Sequence, residues 1–167
     1  MFTKVDHFNT SIEFESGATH RVMSALTDAS LGQTVVPGHR TLGRIAWHIV
    51  TTYPEMLIQA GLNLTAVSKE APVPATAMEI ANAYKAVTDE LRNIIKSTWT
   101  DAALGIVDKM YGEEWPRGTT LSVLIRHEVH HRGQMTILMR QAGLVVPDVY
   151  GPAKEGWVNY GMNPPEV

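Results

Sequence analysis

Apolar residues return with helical period in four separate stretches of this chain, and a chain so patterned must bury four helical faces against one another. The last stretch, Thr120 to Ala142 (TLSVLIRHEVHHRGQMTILMRQA), also holds three of the seven histidines. At about 100° per residue, His127 and His131 fall about 40° apart on one side. Leu124, Gln134, Met135, Leu138 and Ala142 share that side, so both imidazoles point inward. An inward imidazole needs partners for its ring nitrogens, and two stacked one turn apart can converge on one ion.

The other three stretches precede it. Residues 1 to 8 read as a short extended lead-in. Asn9 to Asp28 follows as a first helix, with Phe8, Ile12, Thr19, Met23 and Leu26 on one side. After a Gly- and Pro-containing loop over Leu31 to His39, Thr41 caps a second helix, Leu42 to Ala60, with a stripe of Leu42, Ile45, Ile49, Tyr53, Met56 and Ala60. Pro54 inside it predicts a bend or local irregularity, because proline removes one backbone hydrogen bond. Asn63 to Thr76, with Pro72 and Pro74, reads as a linker. Ala77 to Ser97 is the third helix, carrying Ile80, Tyr84, Val87, Leu91, Ile94 and Ile95. Between it and the histidine helix, Gly105 to Met110 reads as a short strand and Tyr111 to Arg117 as a turn, so a hairpin or extended segment is expected there. Leu144 to Val167 is rich in Pro and Gly, yet Val146, Tyr150, Trp157 and Tyr160 make it an ordered tail that packs on the bundle or on a second subunit. The expected fold is all-α, a four-helix bundle in one domain over residues 1–167.

Composition narrows the chemistry. A net charge of −3 with interspersed signs argues against nucleic-acid and anionic-membrane partners, and only Arg40 with Arg44 suggests a local basic spot. The absence of cysteine excludes disulfides, thiolate ligands and a Cys nucleophile, so any thiol chemistry must borrow its thiol. No basic-then-apolar leader and no run of about 18 apolar residues occurs, so the expectation is a cytoplasmic protein.

His48 lies at the edge of the second helix's stripe, where a ligand facing a cavity would sit. His130 points about 60° from His127 on the side away from His131, which suits packing or a hydrogen bond at the margin of a site. Gln134 can orient an imidazole N–H or a water, or simply face solvent. Glu128 can reach a bound water as general base, or pair with Arg132 one turn on. His7, His20 and His39 are isolated and read as surface or locally satisfied residues.

His48 within GRIAWHIVTTYPEM, the block HEVHHRGQMTILMRQAG from His127 to Gly143, and VPDVYGPAKEGW from Val146 to Trp157 together resemble the DinB family over essentially the whole chain. The resemblance implies a four-helix bundle, commonly dimeric, with a divalent metal such as zinc or nickel held by His48, His127 and His131. Three imidazoles leave coordination positions open, as a catalytic site requires. Relatives of this kind include transferases and isomerases that use low-molecular-weight thiols, which implies a small electrophile as substrate and a thiol as cosubstrate. Two other readings stand beside it. One is a non-enzymatic, metal- or ligand-binding stress-response bundle. The other takes His127, Glu128 and His131 as the H-E-x-x-H of a metallohydrolase with Glu128 as base, although no histidine follows His131 to complete that site.

Overall fold

A computed structural model describes residues 1–166 and contains four long helices: α1 (Val5–Ser24), α2 (Leu42–Gln59), α3 (Ala77–Thr98) and α4 (Arg117–Gln141). The antiparallel hairpin of β1 (Val107–Met110) and β2 (Glu113–Pro116) precedes α4. α1 packs on α3 and α4, and α2 packs on the same two, so α1 and α2 stand diagonally across the bundle. The stripes expected from the sequence face the interior. Phe8, Ile12, Thr19 and Met23 of α1 are buried, as are Ile45, Ile49, Tyr53 and Met56 of α2 and Ile80, Tyr84, Val87, Leu91 and Ile95 of α3.

Helix starts follow local chemistry where a cap is nearby. The Thr41 hydroxyl accepts from Arg44 N–H at 3.2 Å, and Thr76 with Glu79 closes a reciprocal capping box on α3. α1 departs from the expected extended lead-in and begins four residues before Asn9. Its first N–H, on Val5, donates to Asp101 at 2.9 Å, and no sequence-local residue supplies that cap. α1 also ends at Ser24, short of Asp28, because Asp28–Ser30 forms a separate short helical turn.

The expected turn at Tyr111 to Arg117 is mostly strand β2. Tyr111 (φ 52°) and Gly112 (φ 88°) make the actual reversal, a left-handed pair that brings Glu113 opposite Met110. α4 starts at Arg117, three residues earlier than Thr120, and its first turn is held by neighbours: Phe2 N–H donates to the Gly118 carbonyl at 3.0 Å. α2 remains helical through Pro54, so the irregularity expected there does not interrupt it.

The tail returns over α1 and α4. The Tyr150 hydroxyl accepts from Arg132 at 2.8 Å and donates to Glu15, and Val146 is buried. Beyond Trp157 the large side chains Val158, Tyr160 and Met162 are exposed, and Val167 lies outside the described residues.

Candidate metal centre

α2 supplies His48 and α4 supplies His127 and His131, and the two helices pack directly together. His48 Nε2 lies 3.1 Å from His127 Nε2, and His127 Nε2 lies 3.1 Å from His131 Nε2. All three donor atoms fall within 4.8 Å of one another. Around a tetrahedral ion with metal–nitrogen bonds of about 2.0–2.1 Å, neighbouring donors stand roughly 3.3 Å apart. The cluster is therefore close to the size such an ion requires, and a shared cation would satisfy nitrogen donors that face one another this closely.

The protonation state suits the same role. Burial, reinforced by repulsion from His127, Arg40, His131 and Arg44, lowers the His48 imidazole to about 4. Burial with repulsion from His131, His130 and Arg40 lowers His127 to about 4 as well. Burial also lowers His131, against a raising hydrogen bond from Gln134. All three rings are neutral near pH 7 and present lone pairs.

Gln134 acts on the tautomer. Its Oε1 accepts from His131 Nδ1–H at 2.7 Å, which leaves His131 Nε2 unprotonated and aimed at the cluster. The Gln134 amide N–H donates to His130 Nε2 at 3.2 Å, so His130 sits at the margin, held by a hydrogen bond and outside the donor set.

Glu128 is placed differently from both sequence expectations. Its carboxylate is 1% exposed, lies outside the donor cluster, and accepts from the hydroxyls of Thr19 at 2.6 Å, of Tyr84 at 2.8 Å and of Tyr53. One carboxylate of α4 thus binds α1, α2 and α3 at once. Burial raises its pKa, while the three hydroxyl donors act to lower it. With those donors on its two oxygens, Glu128 is not aimed at the cluster as a general base, so the H-E-x-x-H arrangement is not formed. The third histidine comes instead from upstream, on α2.

Nor does Glu128 pair with Arg132. Arg132 is 2% exposed and binds Glu15 at 2.7 Å, the Glu15 carbonyl at 3.1 Å and the Thr19 hydroxyl at 3.0 Å. Thr19 stands between the two charges, accepting from Arg132 and donating to Glu128. Sequence reasoning missed this network because its members come from four helices and the tail. The only signal was two tyrosines and a threonine inside otherwise apolar stripes.

Beside His131 opens a cavity of about 550 Å³ with walls of Val35, Val36, Ile45, Ile137 and Leu138. His39 and Arg40 also line it, so the isolated His39 and the basic spot of Arg40 border the site, which spacing alone did not reveal. A second cleft, between α1 and α3, is lined by ordinary surface charges such as Asp6, Glu13 and Arg92 and lies away from the histidines.

Known proteins share this architecture. The family model described as "DinB family" matches residues 1–164. The uncharacterized protein YrdA of Bacillus subtilis is 43% identical over 167 residues, the whole of both chains. The crystal structure of a DinB-like protein from Bacillus cereus superposes with a TM-score of 0.86 at 44% identity, covering 90% of this chain and 100% of that one. A DinB-like protein of Bacillus subtilis, YjoA, shares the fold with a TM-score of 0.69 at 15% identity, covering 87% of this chain and 99% of that one. A bundle bearing three convergent histidines and matched from end to end in this way belongs to the DinB family.

Proposed function

We propose that this protein is a metal-dependent enzyme in which His48, His127 and His131 hold a divalent zinc or nickel ion and a small thiol is transferred to, or assists isomerisation of, a small electrophile. The observation that carries the reading is the convergence of three neutral imidazole nitrogens, two of the pairs 3.1 Å apart and all within 4.8 Å. Such an ion supplies a Lewis acid that ionises a coordinating thiol at neutral pH. The chain's own residues supply the rest. Burial keeps the imidazoles unprotonated, and Gln134 holds the His131 ring in its donor tautomer. The cavity beside His131 offers an apolar wall for an organic substrate and room for it. The chain has no cysteine, so the thiol enters as a substrate.

The test has two stages. Metal content of untagged protein is measured by mass spectrometry with His48→Ala beside it; a stoichiometric ion that falls sharply in the variant supports the centre. Thiol consumption is then followed against a panel of low-molecular-weight thiols and aryl halide or epoxide electrophiles. Turnover lost on chelation supports the enzyme. A full metal complement with no turnover on any pair favours the non-enzymatic binding bundle, and near-zero metal after incubation with zinc or nickel overturns the reading.

A further inference from the structure

Arg40 lines the cavity next to His131. Arg92, Arg117, Arg132 and Arg140 are each engaged by a carboxylate, whereas among the described residues Arg21, Arg40, Arg44 and Arg126 form no ion pair, and of these four only Arg40 lines this cavity. The backbone that carries it is anchored nearby. The loop between α1 and α2 is pinned at its base, where Leu42 N–H donates to the Gln33 carbonyl at 2.8 Å and Gly43 N–H to the Leu31 carbonyl at 2.9 Å. A Cβ at Gly43 would meet Leu31 Cβ at 3.1 Å, so the loop and the first turn of α2 are in close contact. Gly38 turns the chain with a φ of 83°, just before His39 and Arg40.

Much of the remaining lining is aliphatic. Val35 is 64% exposed and Ile137 60%, and together with the exposed Val36 they offer aliphatic surface to whatever enters. The ligand class follows from these two features. A neutral apolar ligand would gain no charge-assisted contact from the exposed Arg40, and a cation would be repelled by it. A carboxylate can accept a charge-assisted, bidentate pair from Arg40 while an aliphatic body covers the walls.

We infer that this cavity binds a small organic anion with an aliphatic body, its carboxylate paired with Arg40 and its other end directed at the histidine cluster. The inference deepens the proposed function, since it names the class of molecule presented to the same centre. It does not require the ion for binding, so the two can fail separately.

The experiment uses hexanoate, with hexanamide and hexylammonium as matched neutral and cationic probes. Binding is followed by methyl NMR on zinc-loaded and on chelator-treated protein, for the native chain and for Arg40→Gln. Arg40 is exposed, so this variant is expected to leave the fold unchanged, and the chelator-treated preparation reads the site apart from any change in zinc binding. The expected result is hexanoate binding about tenfold more tightly than hexanamide in both preparations, hexylammonium weakest, and the preference lost in Arg40→Gln. Shifts should centre on Val35, Val36, Ile137 and Leu138. Equal binding of hexanoate and hexanamide to the native protein would overturn the inference. So would a preference that survives Arg40→Gln, or one that appears only with zinc, since the carboxylate would then be reading the ion. A chain that takes up no zinc yet keeps an Arg40-dependent preference removes the metalloenzyme reading and retains this site.

Discussion

His48 Nε2 stands 3.1 Å from His127 Nε2, although 79 positions separate the two residues in the chain. Packing of α2 on α4 creates that proximity, and the buried Glu128 secures it, because the residue next to His127 binds Tyr53 on α2. The histidine cluster and the carboxylate hub therefore set the relative position of the same two helices from different faces of α4.

Removing one histidine should dissolve the centre without dissolving the fold. His48 is only half-buried, so His48→Ala should keep a native far-UV spectrum and metal-free thermal stability close to the parent. Its zinc affinity should fall on the order of 100-fold or more, measured by chelator competition. Retention of parental affinity would mean that the ion, if bound, is held elsewhere.

Gln134 offers a subtler check. Its side chain is exposed and fixes His131 through a hydrogen bond of 2.7 Å, so Gln134→Ala should leave stability within about 0.5 kcal/mol. Zinc affinity should nevertheless drop roughly 10- to 100-fold, as for other groups that orient a ligand ring. Unchanged affinity would mean that the His131 ring holds its tautomer and direction without this contact.

Glu128→Ala leaves the hydroxyls of Thr19, Tyr53 and Tyr84 without their shared acceptor in a sealed interior. Urea denaturation should show a loss of about 3–5 kcal/mol. Glu128→Gln keeps one acceptor oxygen and should cost less, about 1–3 kcal/mol. If both variants cost the same small amount, the carboxylate is not the tie among the helices.

The metal-free protein should lose stability in acid over a defined window. His48 and His127 titrate near 4 in the folded chain and near 6.5 once unfolding returns the imidazoles to water, so between these values the unfolded chain binds more protons. Their contribution is constant above about pH 6.5 and falls as the pH drops toward 4. Melting temperatures measured across that range should decline, and the slope should flatten in a His48→Gln, His127→Gln double variant. An identical slope in the double variant would assign the acid sensitivity to other groups.

Two glycines of α4 should respond oppositely to alanine. At Gly118 an added Cβ would lie 1.9 Å from the Phe2 carbonyl oxygen, so Gly118→Ala must displace the N-terminal segment and should cost about 1–3 kcal/mol. At Gly133 nothing lies within 4 Å, and Gly133→Ala should stabilise the helix by about 0.5–1 kcal/mol. Paired denaturation curves test both signs.

Period and capping are local properties, and what depends on them can be read along the chain. The apolar stripes of α2 and α3, the Thr41 and Thr76 caps, and the inward aim of His127 and His131 all follow from residues within a few positions of one another. His48 at the edge of its stripe was legible for the same reason. Tertiary structure decided the features whose partners are distant. Asp101 begins α1 by accepting from Val5, an interaction across 96 positions. Glu128 and Arg132 have the spacing of a surface pair, yet both are buried and each is satisfied by residues of other elements. Arg40 borders the cavity only because its loop is folded against α2. Helical spacing gives the direction of a side chain, but burial and partnership depend on what the rest of the chain brings to meet it.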